Sequence, residues 1–252
     1  GAPKLVTQWF ASHERGLAVG VYSTAPSVGW IVALVVADPL RTFFGDWRWV
    51  MVTFAFASLL SGLFWVGVGG SNPAAEMRPS QNESNSALWG DPTVRRLLFL
   101  AFMIFFVGHA LTGWMPEMLH SGPWSTRGAA WLTASGIAVG VVGSLLIPGR
   151  VAPQARPKVL VAMFGAMAIA VWALVITPQL VQVIAVAVIG VVRVSSVPMA
   201  MLLLMSAPRV SDARMGAAGG LFFTAGELGG VTGPWFIGIA RQNYYAIFLS
   251  KT

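Results

Sequence analysis

Residues 16–29 read GLAVGVYSTAPSVG, and residues 216–229 read GAAGGLFFTAGELG. Laid over one another at an offset of 200, Gly16, Ala18, Gly20, Thr24, Ala25 and Gly29 fall on Gly216, Ala218, Gly220, Thr224, Ala225 and Gly229. That is six identities in fourteen positions, and Val21, Tyr22 and Val28 meet residues of their own kind in Leu221, Phe222 and Leu228. Both stretches open apolar segments that follow a basic connector, and both are expected to run outward from an inner loop. Five further apolar segments lie between them, so the period is six helices. Parallel six-helix repeats related by an axis along the membrane normal are a transporter arrangement.

Composition says what surrounds these segments. The 252 residues are 56% hydrophobic and only 10% charged, with a mean hydropathy of +0.72. A soluble domain carries about 25% charged residues, so this chain has too little charge to coat a water-facing surface. A spanning helix needs about 20 mostly apolar residues. Segments 17–37, 49–70, 97–115, 129–148, 159–176, 180–207 and 215–240 meet or approach that length, and the first five contain no Asp, Glu, Lys or Arg. Barrel strands need only about 9–11 residues, and helices satisfy their own backbone in lipid. The fold class expected is an all-α polytopic membrane protein.

The connectors organise the chain. Residues 71–91, rich in Asn, Ser, Pro and Glu, form the longest polar stretch and read as a flexible linker between two bundles. Asp91-Pro92 then caps and opens the next helix. With the linker inside the cell, the inner loops hold Arg15, Arg78, Arg95, Arg96, Arg150, Arg156, Lys158, Arg209 and Arg214, and the outer loops hold Arg41, Arg48, Arg127 and Arg241. Nine against four follows the positive-inside rule. The net charge of +7 thus reports topology and not nucleic-acid binding. Residues 1–70 are expected to be the remainder of an N-terminal bundle: the end of helix 4, then helices 5 and 6. Residues 71–93 are the linker. Residues 94–252 are a C-terminal bundle of helices 7 to 11 with the start of helix 12. Two six-helix bundles truncated at both ends is the architecture expected.

Glycines spaced four apart line one helix face and let backbones approach closely. Gly16/Gly20, Gly216/Gly220, Gly226/Gly230 and Gly229/Gly233, followed by Pro234, have that spacing. They are candidates for the face on which one bundle slides over the other, with static helix packing as the alternative.

Several motifs together resemble the major facilitator superfamily. Trp9-Phe10, then Glu14-Arg15-Gly16 with Ala18 and Gly20, is similar to that family's inner loop between helices 4 and 5. Gly45-Asp46-Trp47-Arg48-Trp49 is similar to the start of its helix 6, and Gly226, Gly229, Gly230, Gly233 and Pro234 to its Gly-rich helix 11. Gly149, Arg150, Arg156 and Lys158 resemble the basic part of its loop between helices 8 and 9. The resemblance implies alternating access, and a central cavity lined by helices 7 and 10.

An ionisable group deep in the bilayer costs about 2.5–3.5 kcal/mol on insertion scales. Arg193 lies fourteen residues from the inner end of its segment, about 21 Å at 1.5 Å per residue; Glu227 and His109 lie twelve residues in, about 18 Å. The three share one depth. Arg193, with His109 and Ser196, is the candidate substrate site, because a guanidinium binds anions bidentately. Glu227 is the proton-coupling candidate, since burial favours its neutral form and a nearby guanidinium its charged form. A permanent Arg193–Glu227 pair is the structural alternative.

The expected function is secondary active transport of a small organic or inorganic anion with proton coupling. Efflux of amphipathic compounds is the alternative within that class, and a non-transporting membrane sensor or scaffold lies outside it. An enzyme is not expected: no nucleophile–base pair is present, His13-Glu14 lacks a second His at metalloprotease spacing, and no phosphate-binding loop supports ATP drive. Zero cysteines exclude disulfides and Cys-ligated zinc. The partners expected are the lipid bilayer and a small-molecule substrate, with no cofactor, no metal and no nucleic acid. The protein is expected to lie in the cell membrane and to act as a monomer.

Overall fold

The computed structural model describes residues 6, 9–11, 13–68, 86–176, 178–211 and 214–249. Most of the linker expected over 71–93, and most of the helix tail expected over 2–10, lie outside these residues. Among the described residues the regular structure is helical: α1 (Arg15–Phe44), α2 (Trp47–Val68), α3 (Ser86–Trp89), α4 (Pro92–His120), α5 (Thr126–Arg150), α6 (Arg156–Ile176), α7 (Gln179–Met205) and α8 (Met215–Leu249). Six of these, α1, α2 and α4 to α7, contain stretches long and apolar enough to cross a membrane. Phe64, Trp65 and Val66 of α2 and Val161, Ile169 and Trp172 of α6 stand exposed, an apolar exterior that suits lipid and not water.

Local chemistry sets the boundaries. Asp91 accepts a hydrogen bond from the Thr93 N–H at 2.7 Å, and Pro92 fills the first helical position, where no N–H is needed. Ser125 caps α5 by accepting from the Gly128 N–H at 3.1 Å. Gly45, at φ 75°, ends α1 in the left-handed region that favours glycine. The end of the expected linker is ordered: Leu88 of α3 is fully buried in the core. A break before 244, implied by the polar residues Arg241 to Asn243, does not occur; α8 runs unbroken through Leu249. No Gly or Pro stands between Ala240 and Tyr244 to interrupt the backbone.

α4 packs along α8, α5 along α7, and α6 on α7, while α1 lies against both α5 and α7. The core has two parts. One, at the end where α4 and α8 begin, joins Val19, Val94, Leu98, Met201, Leu204 and Phe222. The other, toward the opposite end, joins Leu111, Met115, Leu132, Met167, Val186 and Ile189. Along α4 the gap between them falls at His109, and along α7 at Arg193. The site lies in that gap.

Candidate functional site

A cavity of about 640 Å³ opens between four helices. From α1 it takes Tyr22, Ser23, Pro26, Ser27 and Trp30; from α4, Ile104, Phe105, Gly108 and His109. α7 contributes Arg193, Val194 and Val197, and α8 contributes Gly216, Gly219, Gly220, Phe223 and Glu227. Each set recurs every three or four residues, one stripe of an α-helix.

The three ionisable residues singled out in the sequence all line this cavity. Arg193 Nη2 is buried and makes no hydrogen bond. Arg193 and Glu227 form no ion pair within 4.0 Å, so the permanent-pair alternative is not what the structure contains. His109 Nδ1 lies 3.1 Å from the Phe105 carbonyl oxygen. A carbonyl only accepts, so Nδ1 carries the hydrogen in this contact and Nε2 is left for another partner. The ring also stacks on Phe105 at 5.5 Å between centroids. The site thus combines a guanidinium that forms no ion pair among the described residues, a carboxyl and an imidazole, within mainly aromatic and aliphatic walls.

Beyond this geometry, a family model described as Major Facilitator Superfamily matches residues 1–234. The chain belongs to the major facilitator superfamily. This major facilitator is an all-α, multi-pass integral membrane protein of a transporter family, and membership points to transport rather than catalysis. Comparison with curated proteins finds no match.

Ser196, expected beside Arg193 in the substrate site, is not on the cavity wall. It is fully buried, and its hydroxyl donates to the Val192 carbonyl. The helical turn explains this: Arg193, Val194 and Val197 fan over one side of α7, and Ser196 lies about 100° round the axis from the middle of that fan.

The glycines divide into three groups. A Cβ on Gly16 would stand 2.8 Å from Gly149 Cα, and one on Gly20 2.6 Å from the Ser144 carbonyl oxygen, so both lie where α1 crosses α5. Gly216 and Gly220 line the cavity instead. Gly226, Gly229, Gly230 and Gly233 meet Phe105, Phe102, His109 and Phe106 of α4, and the Pro234 carbonyl accepts from Trp114 Nε1 of α4 at 3.1 Å. These five residues, expected at a sliding face between bundles, make close contacts between α8 and α4, two helices of the same C-terminal segment. Gly229 and Gly233 let the backbone carbonyls of Phe102 and Phe106 approach α8, while Gly226 and Gly230 make room for the Phe105 and His109 rings.

The sequence reading missed Tyr22, Ser23, Ser27, Trp30, Phe105 and Phe223. A signal for one of them, Ser27, was present through Glu227. The 200-residue offset carries Phe223 onto Ser23 and Glu227 onto Ser27, and all four line the cavity.

Proposed function

We propose that this major facilitator is a secondary active transporter that moves a small anion by alternating access and couples the movement to protons. Arg193 receives the anion, His109 flanks it, and Glu227 carries the proton. The observation that carries the reading is the buried, unpaired Arg193 Nη2 in a cavity shared with Glu227. A guanidinium presents a planar fork of donors to carboxylate or phosphate, and charge in a membrane interior is rare outside solute and ion paths. An anion on Arg193 offsets the guanidinium's charge in a cavity that Glu227 also lines, and the proton travels on that carboxyl. The two halves then rock about the site, in a monomer within the cell membrane.

Uptake into proteoliposomes containing the full-length protein tests this, with acetate, benzoate and phosphate as solutes under an imposed pH gradient. Arg193→Gln is expected to abolish uptake of whichever anion the wild type carries. Glu227→Gln is expected to keep exchange of that anion and to lose its acceleration by the proton gradient. Equal uptake by wild type and Arg193→Gln would refute the reading. Unchanged proton dependence in Glu227→Gln would remove Glu227 from it. Efflux of amphipathic compounds is a second reading, favoured by Trp30, Phe105 and Phe223 around the cavity. Neutral dyes competing as well as carboxylates do would select it.

A further inference from the structure

We propose that the anion site is completed from α1: Tyr22 and Ser23 donate to the same anionic group that Arg193 holds, and that group is the carboxylate of an organic acid with a flat apolar body. The proposal rests on Arg193 being the anion receptor. Among buried polar atoms of residues on the cavity wall, Arg193 Nη2 makes no hydrogen bond, and the Tyr22 and Ser23 hydroxyls have no partner beyond each other. Native proteins pair nearly all such groups. Here one guanidinium nitrogen and a pair of neighbouring hydroxyls, from residues of two helices that line a single cavity, are left without an outside partner, and each is a group that can donate. An ionised carboxylate is acceptor-only, with about four lone-pair sites, so one such group satisfies them together.

The rest of the wall selects what is attached to that group. Trp30, Phe105, Phe223, Ile104, Val194 and Val197 surround the polar atoms with aromatic and aliphatic carbon. A phosphate or sulfate carries acceptors on every side and would set most of them against carbon, losing hydration without replacement. An aromatic or similarly flat organic acid has acceptors at one end and carbon elsewhere, which matches an apolar pocket with a few convergent polar groups. Because Tyr22 and Ser23 belong to α1 and Arg193 to α7, the bound carboxylate also spans the two halves of the chain.

Binding to the purified full-length protein, followed by tryptophan fluorescence because Trp30 is in the wall, tests this with benzoate, benzamide, acetate and inorganic phosphate as probes. Benzoate is expected to bind, and the other three to bind at least about tenfold more weakly. Tyr22→Phe and Ser23→Ala are each expected to weaken benzoate about tenfold, the typical cost of a lost hydrogen bond to a charged group. Arg193→Gln is expected to abolish binding, and Arg193→Lys, which keeps the charge but not the fork, to fall between. Unaltered melting and elution of each variant ties the change to the site. Full-strength binding by Tyr22→Phe and Ser23→Ala, with Arg193→Gln inactive, would overturn the α1 contribution and leave the anion reading intact. Phosphate binding as tightly as benzoate, or no benzoate binding to the wild type, would overturn the organic class. Undiminished benzoate binding by Arg193→Gln would overturn both this proposal and the function it rests on.

Discussion

Arg193 and Ser196 are less than one turn apart on α7, yet only Arg193 borders the cavity. The Ser196 hydroxyl donates to Val192 within its own helix, so its removal takes nothing from a bound solute. Ser196→Ala is therefore expected to leave anion uptake within about twofold of wild type, a small loss being what an intrahelical bond contributes. Uptake measured in proteoliposomes checks it, and a loss as deep as that of Arg193→Gln would contradict the geometry. The sequence exposed Arg193, His109 and Glu227 because ionisable groups inside apolar runs are conspicuous and the helical rise converts position into depth. Tyr22 and Ser23 gave no such signal. A hydroxyl in a membrane helix is cheap, and depth alone says nothing about which way a side chain points around the axis.

Elements meet here through glycine. On Gly190 of α7 a Cβ would collide with the Gly136 carbonyl of α5, and on Gly140 of α5 with the Gly190 carbonyl. Gly220 of α8 has nothing within 4 Å of its ideal Cβ. Gly190→Ala must push two backbones apart, and overpacking of this kind typically costs about 1–3 kcal/mol. Gly220→Ala is expected to be neutral or slightly stabilising, since alanine is the better helix former. Thermal unfolding in detergent separates them, with Gly190→Ala melting well below wild type and Gly220→Ala at or above it. Helix ends supply a pH-dependent contribution. The Thr93 N–H, foremost, with smaller help from the Val94 N–H, the Thr93 hydroxyl and Arg209, holds the Asp91 carboxyl below its ordinary value against the opposing effect of burial. Arg209 Nε lies 3.7 Å from Asp91 Oδ2 and ties the α7–α8 loop to the start of α4. A carboxyl with a lowered folded-state pKa stabilises fully above its unfolded value, about 3.9, and loses that contribution as pH falls through the folded value. Asp91→Asn should thus melt below wild type at pH 7, with the gap narrowing only below about pH 4. The Asp91-Pro92 cap was readable from sequence because capping is local chemistry. The unbroken course of α8 was not, because polar residues at Arg241 to Asn243 mark the edge of an apolar stretch without interrupting a helix.

At the scale of the whole molecule, hydropathy was enough to indicate an all-α polytopic architecture, since lipid leaves few ways to satisfy a backbone. How the halves touch depends on shape, and it resides largely in α1. Gly16 and Gly20 let α1 approach Gly149 and Ser144 of α5 at backbone distance, while the middle of the same helix carries Trp30 into the cavity wall. If the halves rock about the site, the α1–α5 contact at the Gly16 end must open and reclose in each cycle. These 252 residues contain no cysteine, so among them a thiol pair placed there is cross-linked without competition from other thiols. Leu17 N lies 4.0 Å from an ideal Cβ on Gly149, which puts Leu17→Cys and Gly149→Cys within reach of a short thiol-reactive linker. Joining them is expected to stop transport, to leave benzoate binding measurable by fluorescence, and to be reversed by cleaving the linker, with each single variant unaffected. Transport that continues while the cross-link is demonstrably in place would mean that this end of α1 stays seated on α5 throughout the cycle, and the rocking would then have to occur at another contact or not at all.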